Sequence, residues 1–330
     1  MERGPIFIGG LDRSGKTWLR LPLSSHPHLA FSRRVNLWTL FYGRYGDLSR
    51  RENFERCLAA MLRHKHVRSL QPDAERLRQE FWQGERTYAR LFALVHEQYA
   101  QRQGKSRWGN QAELIERHAD LIVAAYPAAK MIHLIRDPRD RYEATLTRRR
   151  RGQVGAATAR WLYSVGLAER NRRRYPDRYQ VVRYETLVSQ PEATLREVCA
   201  FLDEEYTPAM LAMQDVPRFQ NRLERDDEDD EIPGPISTAF IGRFRQAIPK
   251  REIAFIQTLA GREMTAWGYA MEPVAFSPGD WFLFYLADWP ANLARLIAWR
   301  ISEMIQHNRP ALSGRQALPD TTAQGGARAG

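Results

Sequence analysis

Cysteine is nearly absent. Cys57 and Cys199 are the only two in 330 residues. That excludes a disulfide framework and a cysteine-rich metal cluster, and it suits a reducing compartment. Long apolar runs are missing too: no 18 apolar residues follow one another, so no helix is expected to span a bilayer. The chain starts almost directly on an apolar strand, which leaves no room for a signal peptide. The expected location is the cytoplasm, with the membrane periphery as a second option. Acidic residues are in deficit, 39 against 50 Lys and Arg, for a net charge of +11 supplied almost wholly by arginine. Such an excess favours an anionic partner. Nucleic acid is not expected, because no helix-turn-helix cue, zinc spacing or aromatic RNA-binding motif occurs. No metal is expected either. His64 and His66 stand close together but lack a third ligand, and they read as solvated.

What is present begins at Pro5–Trp18. Ile6, Phe7 and Ile8 read as a short buried strand that stops at Gly9-Gly10, and Trp18–Ser25 reads as a helix. The turn between is Gly-rich and basic. Such a turn aims successive N–H groups and a helix dipole at one point, which suits a phosphate or sulfate. Gly10–Thr17 fits the P-loop pattern of Gly, four residues, then Gly-Lys-Thr.

Downstream, His28–Asp47 lacks clear periodicity and reads as an irregular loop. Glu52–Ser69, Pro72–Phe81 and Tyr88–Tyr99 read as amphipathic helices, an insertion spanning about 48–104. A helix is expected over Ala112–Ala125, a buried strand over Ala129–Ile135 and a helix after Pro138. The run Arg148–Arg151 reads as a solvated helix end. A long helix follows over Val154–Tyr175, a third strand over Tyr179–Tyr184 and a helix over Pro191–Leu202. Glu224–Glu231 reads as a mobile acidic loop, and a helix runs from Pro249 to Trp267. Strands alternating with helices predict an α/β fold, a mainly parallel central sheet with helices on both faces. Residues 1–275 would form this domain. Residues 276–312 would form an amphipathic, aromatic-rich extension, read as a helical pair that docks, dimerises or lies on a membrane. Residues 313–330 read as a disordered tail.

Three further segments carry a resemblance. Arg136-Asp137-Pro138-Arg139-Asp140 at a strand end, Val182-Arg183-Tyr184-Glu185 with Pro191-Glu192, and Gly242-Arg243-Phe244-Arg245 follow Arg13-Ser14-Gly15-Lys16-Thr17-Trp18 in order. Together they resemble the sulfotransferases over roughly residues 5–270. The resemblance implies a P-loop-like fold and 3′-phosphoadenosine 5′-phosphosulfate as co-substrate, without a metal. It implies that Arg13, Ser14, Gly15, Lys16 and Thr17 hold the 5′-phosphosulfate, and that Arg136 and Arg243 hold the 3′-phosphate. Tyr184 and Trp18 would reach the adenine, although Trp18 could equally be a core residue. The family's Ser, eight residues beyond the strand-end Arg, is Ala144 here. Either the adjacent Thr145 substitutes or that contact is lost.

Sulfuryl transfer needs charge stabilisation on the leaving oxygen. Arg13, with Lys16, stands where the family has a catalytic Lys. The family's Glu after the loop helix is missing, since Phe31–Asn36 holds no carboxylate. Glu113 and His118 lie in another segment where relatives place polar groups, and His118 is the candidate base. The acceptor is a small molecule, sugar, lipid or peptide. Two alternatives stay open: a P-loop kinase with Asp137 as the Mg²⁺ acid, and a membrane-peripheral nucleotide-binding protein without catalysis.

Overall fold

The computed structural model describes residues 3–146, 153–213 and 236–308. Five strands form one parallel sheet: β1 (Ile6–Gly9), β2 (Leu29–Arg33), β3 (Arg107–Gln111), β4 (Lys130–Ile135) and β5 (Tyr179–Arg183), in the order β2-β3-β1-β4-β5. β1 is central, with Ile6 opposite Gly109 on one side and Lys130 on the other. Strand alternation splits β1 between two cores. Phe7 packs with the helices of residues 51–102, while Ile6 and Ile8 pack with Leu19 and Leu23 of the loop helix (Lys16–Ser24). Helices therefore cover both faces of the sheet, as the alternating pattern predicts.

Two strands differ from expectation. The segment read as an irregular loop contains β2, and the Trp108-Gly109-Asn110 stretch is β3. Their polar residues are buried against partners distant in sequence. Arg107 pairs with Glu204 at 3.0 Å, and Asn110 Nδ2 donates to Ser32 Oγ at 3.0 Å. Gly109 makes room for Phe31, whose ring would lie 2.3 Å from an added Cβ.

The helix expected over Ala112–Ala125 is a 3₁₀ turn (Ile115–His118) and a short helix (Ala119–Ala125), set off by Leu114 at φ 55°. The helix expected over Glu52–Ser69 breaks at His64 into Arg51–Arg63 and Lys65–Arg68. His64 and His66 are half-buried rather than solvated. His64 packs edge-on against Phe41 at 6.1 Å, and burial lowers its pKa. The C-terminal extension is not a helical pair. Pro278–Leu283, a π-helical turn at Phe284–Asp288 and Trp289–Asn308 run on as one rod. It packs along the long helix Val154–Arg174. Gly155 permits this approach, since an added Cβ would meet the Asn292 carbonyl. Arg148–Arg151, Glu224–Glu231 and residues 313–330 lie outside the described residues.

His96 ties the insertion to β2. Its Nδ1 lies 2.8 Å from the Phe92 carbonyl, which can only accept, so Nε2 is left to accept from Ser32 Oγ at 2.9 Å. Burial lowers the His96 pKa from 6.5 to about 4, against the opposing pull of the Phe92 carbonyl. The unfolded chain therefore binds a proton here that the folded chain refuses. This contribution to stability is complete above pH 6.5 and is lost as pH falls towards 4, for a total of about 3 kcal/mol. Urea unfolding from pH 7 to pH 4 should show this slope, and His96→Asn should flatten it. An equal slope in the variant would refute the assignment.

Candidate active site

The five strands point their carboxyl ends to one side, and the sequence reverses direction across the sheet at β1: β2 and β3 lie on one side of it, β4 and β5 on the other. Such a switch point opens a crevice beyond the strand ends. The residues there are Arg13 to Lys16 after β1, Arg34 after β2, Glu113 after β3, Arg136 after β4 and Tyr184 after β5. All belong to loops or first helical turns, where the parallel sheet leaves backbone groups free to face a ligand.

The loop after β1 makes its turns with Gly10 at φ 116°, Arg13 at φ 64° and Gly15 at φ 93°. Glycine is required at position 15, because an added Cβ would sit 2.3 Å from the Tyr184 ring. Four successive loop carbonyls are held by cations. Lys16 Nζ donates to Gly10 at 2.7 Å and to Leu11 at 2.5 Å. Arg141 Nε donates to Asp12 at 3.0 Å, and Arg136 Nη1 to Arg13 at 3.2 Å. At the loop entrance Gly10 N–H donates to Glu116 Oε2 at 3.0 Å. Glu116 is fully buried and lies near Ser164 and His133, so a buried carboxylate pins the turn from beneath.

The electrostatics are concentrated. Burial lowers the Lys16 pKa, opposed by Glu113, Asp12 and Glu116. Burial raises that of Asp12, but Lys16, Arg141, Arg13 and Arg34 outweigh it and hold the carboxyl below its usual range. Cations from three strand ends thus act on one loop.

Arg136 is the bridge between the two halves. Besides Arg13 it donates through Nη2 to the Phe240 carbonyl at 2.7 Å, and its guanidinium lies 4.5 Å from the Tyr184 ring centre. Its Nε is buried with no hydrogen-bond partner in the structure. The backbone beneath is clamped: Trp161 Nε1 donates to the Arg136 carbonyl at 2.8 Å, and Asp137 N–H donates to Glu185 at 2.8 Å. Asp140 accepts from the amides of Gly242 at 2.6 Å and Phe244 at 3.0 Å, which brings Arg243 beside the same site. Arg243 is half-exposed and lies 3.3 Å from Glu143.

The other expected residues fall as follows. Ser14 Oγ donates to Leu11 at 2.8 Å, and Thr17 and Trp18 are half-buried at the start of the loop helix. Tyr184 is 1% exposed and supports Gly15 and Arg136 from below. Thr145 Oγ1 donates to Tyr142 at 2.7 Å and lines a small cleft with Arg141, Gln153 and Arg160. His118 is half-buried at the end of the 3₁₀ turn, and the main charges acting on Lys16 and Asp12 do not include it. Sequence reasoning missed Glu116, Arg141 and Arg34. Arg141 continues the Arg136–Asp140 motif by one residue; Glu116, between Ile115 and Arg117, carried no signal that it is buried.

Among the described residues one trio, His26, His28 and Glu204, clusters like metal ligands. Its groups are already used: His26 bonds the Glu205 carbonyl and the His28 amide, and Glu204 pairs with Arg3 and Arg107. Two guanidiniums on the only carboxylate disfavour a cation there.

A model of the sulfotransferase family matches residues 5–208. Among solved structures, the sulfotransferase domain from the Synechococcus PCC 7002 olefin synthase is 24% identical with a TM-score of 0.52, over 78% of this chain and 95% of that one. The sulfotransferase domain from the curacin biosynthetic pathway is 17% identical with a TM-score of 0.54, over 82% of this chain and 99% of that one. These likenesses establish a shared fold. No curated protein matches the chain. With its family match covering more than half the residues, and its sheet and loop in place, the chain belongs to the sulfotransferase family.

Proposed function

We propose that the protein transfers a sulfuryl group from 3′-phosphoadenosine 5′-phosphosulfate to a hydroxyl or amine of its acceptor. The observation that carries this is Arg136 donating to the Arg13 carbonyl, which joins the end of β4 to the loop after β1. One anion site at a helix start, and a second beside a buried guanidinium, match a nucleotide bearing phosphate at each end. The acceptor oxygen would attack sulfur, the bond from sulfur to the 5′-phosphate oxygen would break, and the acceptor proton would pass to a base. Arg13 and Lys16 would stabilise the leaving oxygen. Ser14, Gly15 and Thr17 would hold the phosphosulfate, Arg136, Arg243 and Thr145 the 3′-phosphate, and Trp18 the adenine. Tyr184, in this reading, positions the loop instead of touching the base.

Glu113 is the better candidate than His118 for the proton. It follows β3 beside the loop, and it is the largest charge opposing the lowered pKa of Lys16. Asp12, held ionised by four cations, is a poor proton acceptor. The kinase alternative loses support because both Asp137 oxygens are taken by Arg139, at 3.0 and 2.6 Å.

Thermal unfolding tests the reading. The desulfated product, 3′-phosphoadenosine 5′-phosphate, without metal and at a hundred times Kd, should stabilise the fold by about 2.7 kcal/mol, raising Tm by about 5 °C. A rise with ATP and Mg²⁺ alone would favour the kinase.

A further inference from the structure

The C-terminal rod is docked by one face and apolar on the other. Phe284, Asn292 and Glu303 are buried against the body. Leu286, Ile297, Ile301 and Met304 are exposed, Leu286 at 63% and Met304 at 58%. Their spacings of 11, 4 and 3 place them on one stripe of a helix. Trp281, Phe282 and Tyr285 add an exposed aromatic patch at the N-terminal end, with Phe282 at 67%. A helix that only docked would carry polar residues outward.

Charge selects the occupant. The described rod has three carboxylates, and each is engaged. Asp280 accepts from Ser277 Oγ at 2.8 Å in the helix cap, Asp288 pairs with Arg251 at 3.0 Å, and Glu303 is buried against Arg117 at 3.0 Å. The exposed charges are Arg295 and Arg300. A second copy seated on this face would bring Arg300 from each chain to one seam with no acid of the rod to meet it; Arg295, two positions from Ile297, turns back to donate to the buried Asn292 at 3.0 Å. An anionic lipid surface supplies the missing charge, and aromatic side chains suit its interface. No described helix is long and apolar enough to cross a membrane.

We propose that this face seats on an anionic bilayer with the rod in the membrane plane. The apolar stripe enters the acyl boundary, Trp281, Phe282 and Tyr285 lie at headgroup level, and Arg300, on the flank of the stripe, meets lipid phosphates.

Flotation of the full chain tests it, with vesicles of phosphatidylcholine containing phosphatidylglycerol and with phosphatidylcholine alone. The protein should float with the anionic vesicles and much less with the neutral ones, and salt should weaken binding. The double variant Leu286→Ser/Ile297→Ser should bind at least about tenfold more weakly, with an unchanged circular dichroism melt because both side chains are exposed. Arg300→Gln should reduce the anionic preference. Failure to float with anionic vesicles, or undiminished flotation of the serine variant, would overturn the proposal. So would a lipid-free dimer in sedimentation equilibrium that the serine variant dissociates.

Discussion

Arg136→Ala should abolish the thermal shift with 3′-phosphoadenosine 5′-phosphate and lower kcat/KM by about a thousandfold. A guanidinium facing phosphate makes charge-assisted bonds worth about 1.5–3 kcal/mol each, and two such bonds account for that factor. The same side chain also holds the Arg13 and Phe240 carbonyls, so the ligand-free variant should unfold earlier, by about 1–3 kcal/mol. The two effects separate cleanly: the loss of stability appears without ligand, whereas the loss of the shift is measured against the variant's own melt. Arg136→Lys keeps the charge but not the fork, and should recover only part of the affinity. An unchanged shift in the alanine variant would remove the 3′-phosphate from this position and with it the assigned donor.

Glu113→Gln should keep the nucleotide shift and lose turnover by about 10²–10⁴-fold, the usual contribution of a general base. The amide preserves shape and cannot take the acceptor proton. The KM for the nucleotide should stay at the parent value while kcat falls, a split that a merely structural role would not produce. Glu113 also opposes the lowering of the Lys16 pKa, so Gln should let that pKa fall further. Turnover in Glu113→Gln equal to the parent, with loss in His118→Gln, would move the base to His118.

Much of the proposed donor site is local, and that is why its residues could be read from the sequence. The loop needs only an apolar strand, glycines where φ is positive, and a helix start, all within Pro5–Trp18. The strand end at Arg136 is equally local, because Pro138 opens the next helix. The base was not legible. Glu113 earns its candidacy from its place after β3, where its charge acts on Lys16, and the two are 97 positions apart in the chain.

By itself the sequence determined the parallel α/β class, the glycine turn between β1 and the loop helix, and the arginine at the end of β4, since each follows from backbone geometry and apolar patterning over a few residues. Tertiary structure decided the rest. It made strands of Leu29–Arg33 and Arg107–Gln111, whose Ser32, Arg107 and Asn110 look like surface residues until Glu204 and His96 arrive to satisfy them. It placed Glu116 beneath Gly10, and it chose which face of the C-terminal rod is covered. The physical reason is the same in each case. Burying a polar or charged group is favourable only with its partner in place, and here the partner lies tens of residues or more away, beyond the reach of any local pattern.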